Sequence, residues 1–203
     1  MDLPPCRIVT WSDIDRWADS IALQIERADR SPETIVGLTR GGWIPARLLA
    51  DRLGVKHLAA VRAQHWGVTA TRNGSAEITE GLSRPLTDRK VLVVDDITDT
   101  GQSLRLAIDH VQESHPALVE SATFLHIERS TYRPTYWAEV VPKETWTWFI
   151  FPWNYWEDVG NLARKALPDG HDEYGVRRLL KELSGINIEE RDIRSALART
   201  APK

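Results

Sequence analysis

At 203 residues the chain can bury one well-formed core, or one domain with a small appendage, and is short for two full domains. A net charge of −3 and a pI near 6.1, with 26 Lys and Arg scattered among 29 Asp and Glu, leave no basic stripe for nucleic acid. The single cysteine, Cys6, excludes an intrachain disulfide, no Cys/His set has structural-zinc spacing, and no apolar run approaches the roughly 18 residues of a membrane span.

The opening residues "MDLPPCRIVT" lack a signal-peptide pattern, so a soluble, cytoplasmic protein with no membrane or nucleic-acid partner is expected. The first helix is predicted over "WSDIDRWADSIALQIERAD", where Ile14, Trp17, Ala18, Ile21 and Ile25 recur at helical spacing and Ser12 with Asp15 reads as a capping box. "TIVGLT" reads as a short apolar strand. The glycine pair of "RGGW" follows, then a helix over "IPARLLADRLG" with Pro45 in its first turn and Gly54 at its stop. A second strand over "VKHLAAVRAQHW" leads into the polar residues 67–88, where Asn73-Gly74 is a turn signal between two short arms and predicts a mobile hairpin or lid. "RKVLVVDD" is a continuous apolar strand, "GQSLRLAIDHVQES" a helix burying Leu104, Ala107, Ile108 and Val111, and "ESATFLHIE" a further strand. This alternation implies right-handed crossovers and an α/β fold with an open, twisted, mainly parallel sheet flanked by helices. From about residue 160, two or three short helices broken at Pro168-Asp169-Gly170 and Ser184-Gly185 form an appendage. Of the nine tryptophans, four crowd into "WTWFIFPWNYWED", and each taken singly reads as large apolar core.

The chemistry concentrates in "VLVVDDITDTGQSL". In an open parallel sheet, ligands sit at the carboxyl ends of the strands, and both glycine loops fall there. The loop after Asp96 offers the hydroxyls of Thr98, Thr100 and Ser103, with Gly101 for close backbone approach, at the start of a helix. That arrangement suits a phosphate monoester. Asp95 and Asp96 are adjacent carboxylates that repel unless a cation or a hydroxyl-bearing group comes between them; a ribose cis-diol with Mg²⁺ nearby supplies both. Neither the triphosphatase pattern Gly-x-x-x-x-Gly-Lys-[Ser/Thr] nor the dinucleotide pattern Gly-x-Gly-x-x-Gly occurs.

The apolar run, the two acids and "ITDTGQS" together resemble the phosphoribosyl pyrophosphate (PRPP) motif of the type I phosphoribosyltransferases. "LTRGGWIPARLLADRLGVKH" is similar to the pyrophosphate loop of the same family, and its Arg-Gly-Gly to the xanthine-guanine branch of the 6-oxopurine enzymes. The resemblance implies that Asp95 and Asp96 meet the ribose hydroxyls, and Mg²⁺ mostly through water or those hydroxyls. Thr98, Asp99, Thr100, Gly101, Gln102 and Ser103 would surround the 5-phosphate. Thr39, Arg40, Gly41 and Gly42 would hold pyrophosphate, Arg40 with its planar fork, and a non-proline cis peptide is expected near Thr39 to Arg40. Asp99 and Arg40 are the expected catalytic residues, Asp99 facing the purine N7. In the base-recognition segment, about 126–156, Trp148 stands four residues before "PWN" and is expected to stack on the base, with Trp146 its rival and Phe149 giving a backbone contact. The 6-oxopurine enzymes carry a lysine at the end of the strand matching "TFLHIE"; this chain reads Glu128-Arg129. Arg129 would donate to a base O6, whereas Glu128 would accept from an amino group, so the base stays open at this point.

The resemblance further implies a phosphoribosyltransferase domain over 1–159 with a hood or lid at 67–88, and a C-terminal helical extension over 160–203. The expected reaction transfers the 5-phosphoribosyl group from PRPP to guanine, xanthine or hypoxanthine in purine salvage. It releases pyrophosphate and a nucleoside monophosphate, in a homodimer or homotetramer. The rivals are transfer to adenine or a non-purine acceptor, and a PRPP-sensing regulator on the same fold.

Overall fold

In the computed structural model, which describes residues 3–65, 76–167 and 172–200, the first helix starts earlier than its expected capping box allows. Helix α1 (Trp11–Arg27) is capped by Thr10, whose hydroxyl accepts from the Asp13 N–H at 3.1 Å while the Asp13 carboxylate accepts from the Thr10 N–H at 3.0 Å. This reciprocal pair satisfies two orphan donors of the first turn. Ser12 and Asp15, read from sequence as the box, lie inside the helix instead, and Asp15 is ion-paired to Arg52.

The remaining elements in chain order are β1 (Cys6–Ile8), β2 (Thr34–Thr39), α2 (Trp43–Arg52), β3 (His57–His65), β4 (Ala76–Glu80), β5 (Lys90–Thr98), α3 (Gln102–Gln112), β6 (Leu118–Ile127), β7 (Tyr136–Val141), β8 (Trp148–Ile150), α4 (Tyr155–Ala166), α5 (Glu173–Ser184) and α6 (Glu190–Arg199). They divide into two units, one spanning Ile14–Glu144 and the other joining Met1–Asp13 to Thr145–Lys203.

The first unit is built on a six-stranded sheet of order β4-β3-β2-β5-β6-β7. All neighbouring pairs are parallel except β3 with β4, as the strand and helix alternation led us to expect. Helix α3 buries Leu104, Ala107, Ile108 and Val111 against Val36, Leu38, Val91 and Val93 of β2 and β5. Gly37, between Val36 and Leu38, faces the other way, and a Cβ there would stand 3.0 Å from Ala46 Cβ of α2. Helix α2 therefore covers the opposite face, tied to α1 by Arg52, which pairs with Asp15 and Asp19. Trp17 of α1 lies 5.9 Å from the Phe124 ring of β6 and is 3% exposed, a core tryptophan as expected. Trp11, Trp43 and Trp156 depart from that reading, with 60%, 40% and 38% of their surface in solvent. Of the expected lid, residues 67–75 with Asn73-Gly74 lie outside the described residues, and β4 pairs antiparallel with β3. The following stretch is anchored, since the Leu82 N–H donates to His110 Nε2 at 3.2 Å and Leu86 is buried in the α3 core.

In the second unit, β1 pairs in parallel with β8, Cys6 opposite Trp148 and Ile8 opposite Ile150. Neither three-residue strand was legible from periodicity. Helices α4, α5 and α6 close on a core that includes Leu3, Ile150, Val159, Leu162, Leu180 and Ile193. A Cβ at Gly160 would fall on the Thr200 hydroxyl and 3.1 Å from the Ala196 carbonyl, so the glycine permits the close α4–α6 crossing. Helix α5 stops at Gly185, φ +73°, where a break was expected; the break expected at Pro168-Asp169-Gly170 lies outside the described residues. The boundary expected after residue 159 falls within α4.

Candidate active site

Strands β2 and β5 are neighbours, and the chain leaves them in opposite directions, β2 through α2 to β3 and β5 through α3 to β6. Their carboxyl ends flank the crevice where open α/β sheets take their ligands. Both glycine loops emerge there. The Thr39-Arg40 peptide is cis, as the family resemblance suggested. Arg40 is exposed, and the Thr39 hydroxyl donates to the Val61 carbonyl at 3.3 Å. A Cβ at Gly41 would collide with the Asp96 carboxylate; one at Gly42 would collide with the Val94 carbonyl and lie 2.8 Å from Asp95 Cα. The two glycines thus bring the loop after β2 directly onto the acidic end of β5.

At that end the Asp96 N–H donates to Asp95 Oδ1 at 3.0 Å, and Asp96 is buried. Burial, and then the charge of Asp96, hold the Asp95 carboxyl well above the usual carboxylate range. Among the described residues no group of three or more His, Cys, Asp or Glu side chains is placed to hold a metal by itself. Two adjacent carboxylates do fit Mg²⁺, which commonly takes its other oxygens from substrate and water. A diol or cation meeting this pair relieves the repulsion between them.

Beyond Asp96 the chain passes from sheet to loop. Thr98 is buried and its hydroxyl donates to Thr123 Oγ1 at 3.0 Å, inside the sheet. Gly101 is the N-cap of α3 at φ +84°, a left-handed conformation that favours glycine. It has no side chain of its own to cap the first turn, and an anion there would compete with the Thr100 hydroxyl for the Gln102 N–H. Thr100 is exposed and its hydroxyl accepts from the Gln102 N–H at 3.4 Å. Gln102 is exposed and Ser103 half-buried in the same turn.

Asp99 is engaged from outside the loop. Arg129 Nε donates to Asp99 Oδ1 and Arg129 Nη2 to Asp99 Oδ2, each at 2.6 Å, a bidentate pair with about a third of each side chain in solvent. These hydrogen bonds raise the Arg129 pKa above its ordinary value. Glu128 is exposed; its N–H donates to the Val141 carbonyl at 3.0 Å. The residues that follow, Ser130 to Tyr132, lie against the same loop, a contact sequence reasoning missed because nothing in "RSTY" marks a partner thirty residues earlier. The other two residues expected at the base belong to the second unit. Trp148 is half-buried, packs on that unit's core and meets Trp146 edge-on at 6.5 Å, and Phe149 is buried with the Arg7 guanidinium 5.8 Å from its ring centre.

Residues 10–158 match the family described as "Phosphoribosyl transferase domain". Among solved structures, the chain is similar to a purine phosphoribosyltransferase from Pyrococcus horikoshii Ot3 at 27% identity and a TM-score of 0.64, over 73% of this chain and 93% of that one. It shares its fold with a xanthine-guanine-hypoxanthine phosphoribosyltransferase of Helicobacter pylori, at 22% identity and a TM-score of 0.61, over 78% of this chain and 99% of the other. A hypoxanthine-guanine phosphoribosyltransferase of Bacillus anthracis str. 'Ames Ancestor' shares it at 21% identity and a TM-score of 0.54, over 66% and 79%. The family match over most of the chain agrees with two glycine loops meeting at an acidic strand end, and the chain belongs to the phosphoribosyl transferase family, whose members are PRPP-dependent pentosyltransferases.

Proposed function

We propose that the protein transfers the 5-phosphoribosyl group of PRPP to a 6-oxopurine, with guanine, xanthine or hypoxanthine as acceptor, in purine salvage. The observation that carries the choice of base is the Asp99–Arg129 pair, which sets an acceptor oxygen and a donor nitrogen side by side, 2.6 Å apart. A 6-oxopurine protonated on N7 offers a donor at N7 next to an acceptor at O6, the complementary pattern. A guanidinium has five N–H groups and each carboxylate oxygen two lone pairs, so in this reading the fork is kept while the pair meets the base. Adenine would turn an amino group toward the guanidinium, a donor against a donor. Glu128 is the residue that would favour such an amino group, and it is Arg129 that is held at Asp99.

In this reading a purine ring nitrogen displaces pyrophosphate from carbon 1 of the ribose with inversion, and positive charge builds on the sugar as the bond to pyrophosphate stretches. Arg40 and the backbone N–H groups of Gly41 and Gly42 hold the departing oxygens. Asp95 and Asp96 hold the ribose hydroxyls, while Thr100, Gly101, Gln102 and Ser103 surround the 5-phosphate; Thr98, expected among them, keeps its hydroxyl on Thr123 inside the sheet. Holding both substrates in line supplies much of the acceleration. Asp99 takes or holds the N7 proton. Mg²⁺, carried chiefly on the substrate and on Asp95 and Asp96 through water or ribose hydroxyls, would offset charge on the pyrophosphate. Trp148 for stacking and Phe149 for a backbone contact follow from the family resemblance, as do a homodimer or homotetramer and a cytoplasmic setting.

Incubating the protein with PRPP, Mg²⁺ and each base in turn, and following pyrophosphate release, tests the reading. Turnover with guanine, xanthine or hypoxanthine is expected; turnover with adenine alone transfers the base-reading role to Glu128 and overturns it. A protein that binds PRPP with no turnover on any base is the sensing regulator instead.

A further inference from the structure

The segment after β6 holds the loop after β5 through alternate residues. Arg129 forks onto Asp99, and two residues later the Thr131 N–H, at 3.1 Å, and the Thr131 hydroxyl, at 2.9 Å, both donate to the carbonyl oxygen of Thr100. The segment is itself braced. The Ser130 N–H donates to the Ile127 carbonyl at 2.9 Å, Ser130 Oγ donates to the Tyr132 carbonyl at 2.8 Å, and the Tyr132 N–H returns to Ser130 Oγ at 3.2 Å. The Tyr132 phenol reaches back to Ser121 of β6, the two oxygens 3.3 Å apart. Gly101 rests on this strap, since a Cβ there would stand 2.6 Å from Ser130 Oγ and 2.7 Å from Tyr132 Cβ.

A loop that binds phosphate through its N–H groups has to keep its carbonyl oxygens, which carry negative partial charge, turned away from the anion. Thr100 is the residue just before the N-cap of α3, so a rotation of its peptide would swing that carbonyl toward the helix start. Two donors from one residue hold it in place. We propose that Thr131 is a positioning residue of the 5-phosphate subsite: it pins the Thr100 carbonyl away from the anion, so that part of the phosphate affinity resides in a side chain that does not touch the ligand. The inference rests on reading residues 98–103 as the 5-phosphate loop. It divides the strap by task, with Arg129 serving the base through Asp99 and Thr131 serving the phosphate through Thr100.

Titration calorimetry of the full chain with ribose 5-phosphate, and separately with pyrophosphate, tests it, using Thr131→Val, which keeps the shape and removes the hydroxyl, and Thr131→Ser, which restores a donor. Losing one neutral hydrogen bond predicts that Thr131→Val binds ribose 5-phosphate about 3- to 10-fold more weakly. Pyrophosphate binding should stay as in the parent, and Thr131→Ser should recover most of the loss. In turnover the same Val variant should raise KM for PRPP with kcat unchanged, the pattern of lost uniform binding. Equal ribose 5-phosphate affinity in the parent and in Thr131→Val overturns the inference and leaves the loop assignment standing. A parent protein that binds ribose 5-phosphate no better than ribose removes the loop assignment itself. Weakening of both ligands alike in Thr131→Val shows a general structural role and also overturns the inference.

Discussion

Asp99 spends both carboxylate oxygens on Arg129, and this single pair joins two segments thirty residues apart in the chain. Asp99→Asn would keep the size of the side chain while losing the charge and one of the two acceptors. We expect it to lower kcat by about 10²-fold or more with KM for PRPP nearly unchanged, because proton handling at the base is lost and the phosphate contacts remain; steady-state kinetics against PRPP and guanine separates the two. The neighbouring glycines make a sharper pair. Gly41→Ala would press first on the Asp96 carboxylate, a side chain and not backbone, so its cost should appear chiefly in KM for PRPP with a smaller fall in melting temperature. Gly42→Ala would press on the Val94 carbonyl and Asp95 Cα, which are backbone, so both activity and melting temperature should fall. Trp148→Ala should raise KM for the purine by about tenfold if the ring stacks on the base, and an effect confined to the melting temperature would return Trp148 to the core. At this scale the two glycine loops were legible as loops because each is a contiguous run of glycine and polar residues after an apolar strand. The fork and the strap were not, because their partners meet only after β5 and β6 pair in register, Thr98 beside His126.

Most long elements were legible, although β7, as long as β2, was not. Helix α3 buries the four residues its spacing marked, and β2, β5 and β6 lie where apolar runs placed them. Strands of three residues, such as β1 and β8, have no period to detect and exist because they pair with each other. The start of α1 shows a different limit, since two Ser/Thr-x-x-Asp frames overlap within six residues and only the geometry selects Thr10 with Asp13. Thr10→Ala should cost about 1 kcal/mol in denaturant unfolding, whereas Ser12→Ala, inside the helix, should change it little. Equal losses from the two variants would put the cap back at Ser12.

The whole molecule offers one spectroscopic handle in each unit. The Tyr136 phenol donates to both oxygens of Glu120 at 3.1 Å, and the Tyr155 phenol donates to Asp192 at 3.0 Å. Burial first, and then the adjacent carboxylate, push each phenol up to about 12 from an ordinary value near 10. Between those values the unfolded chain has lost a proton that the folded chain keeps, so stability present below pH 10 falls as pH rises toward 12. Ultraviolet titration should show these two of the four tyrosines ionising late, with Tyr136→Phe removing one late step and Tyr155→Phe the other. If both late steps vanish in either variant, the two units unfold together.

The pairing of β1 with β8 also sets an order of events in the life of the chain. During synthesis Cys6–Ile8 leaves the ribosome well before its strand partner Trp148–Ile150, which follows only after the whole Ile14–Glu144 unit has emerged. The loops after β2 and β5 can therefore settle on their sheet while Cys6–Ile8 waits for β8 to emerge.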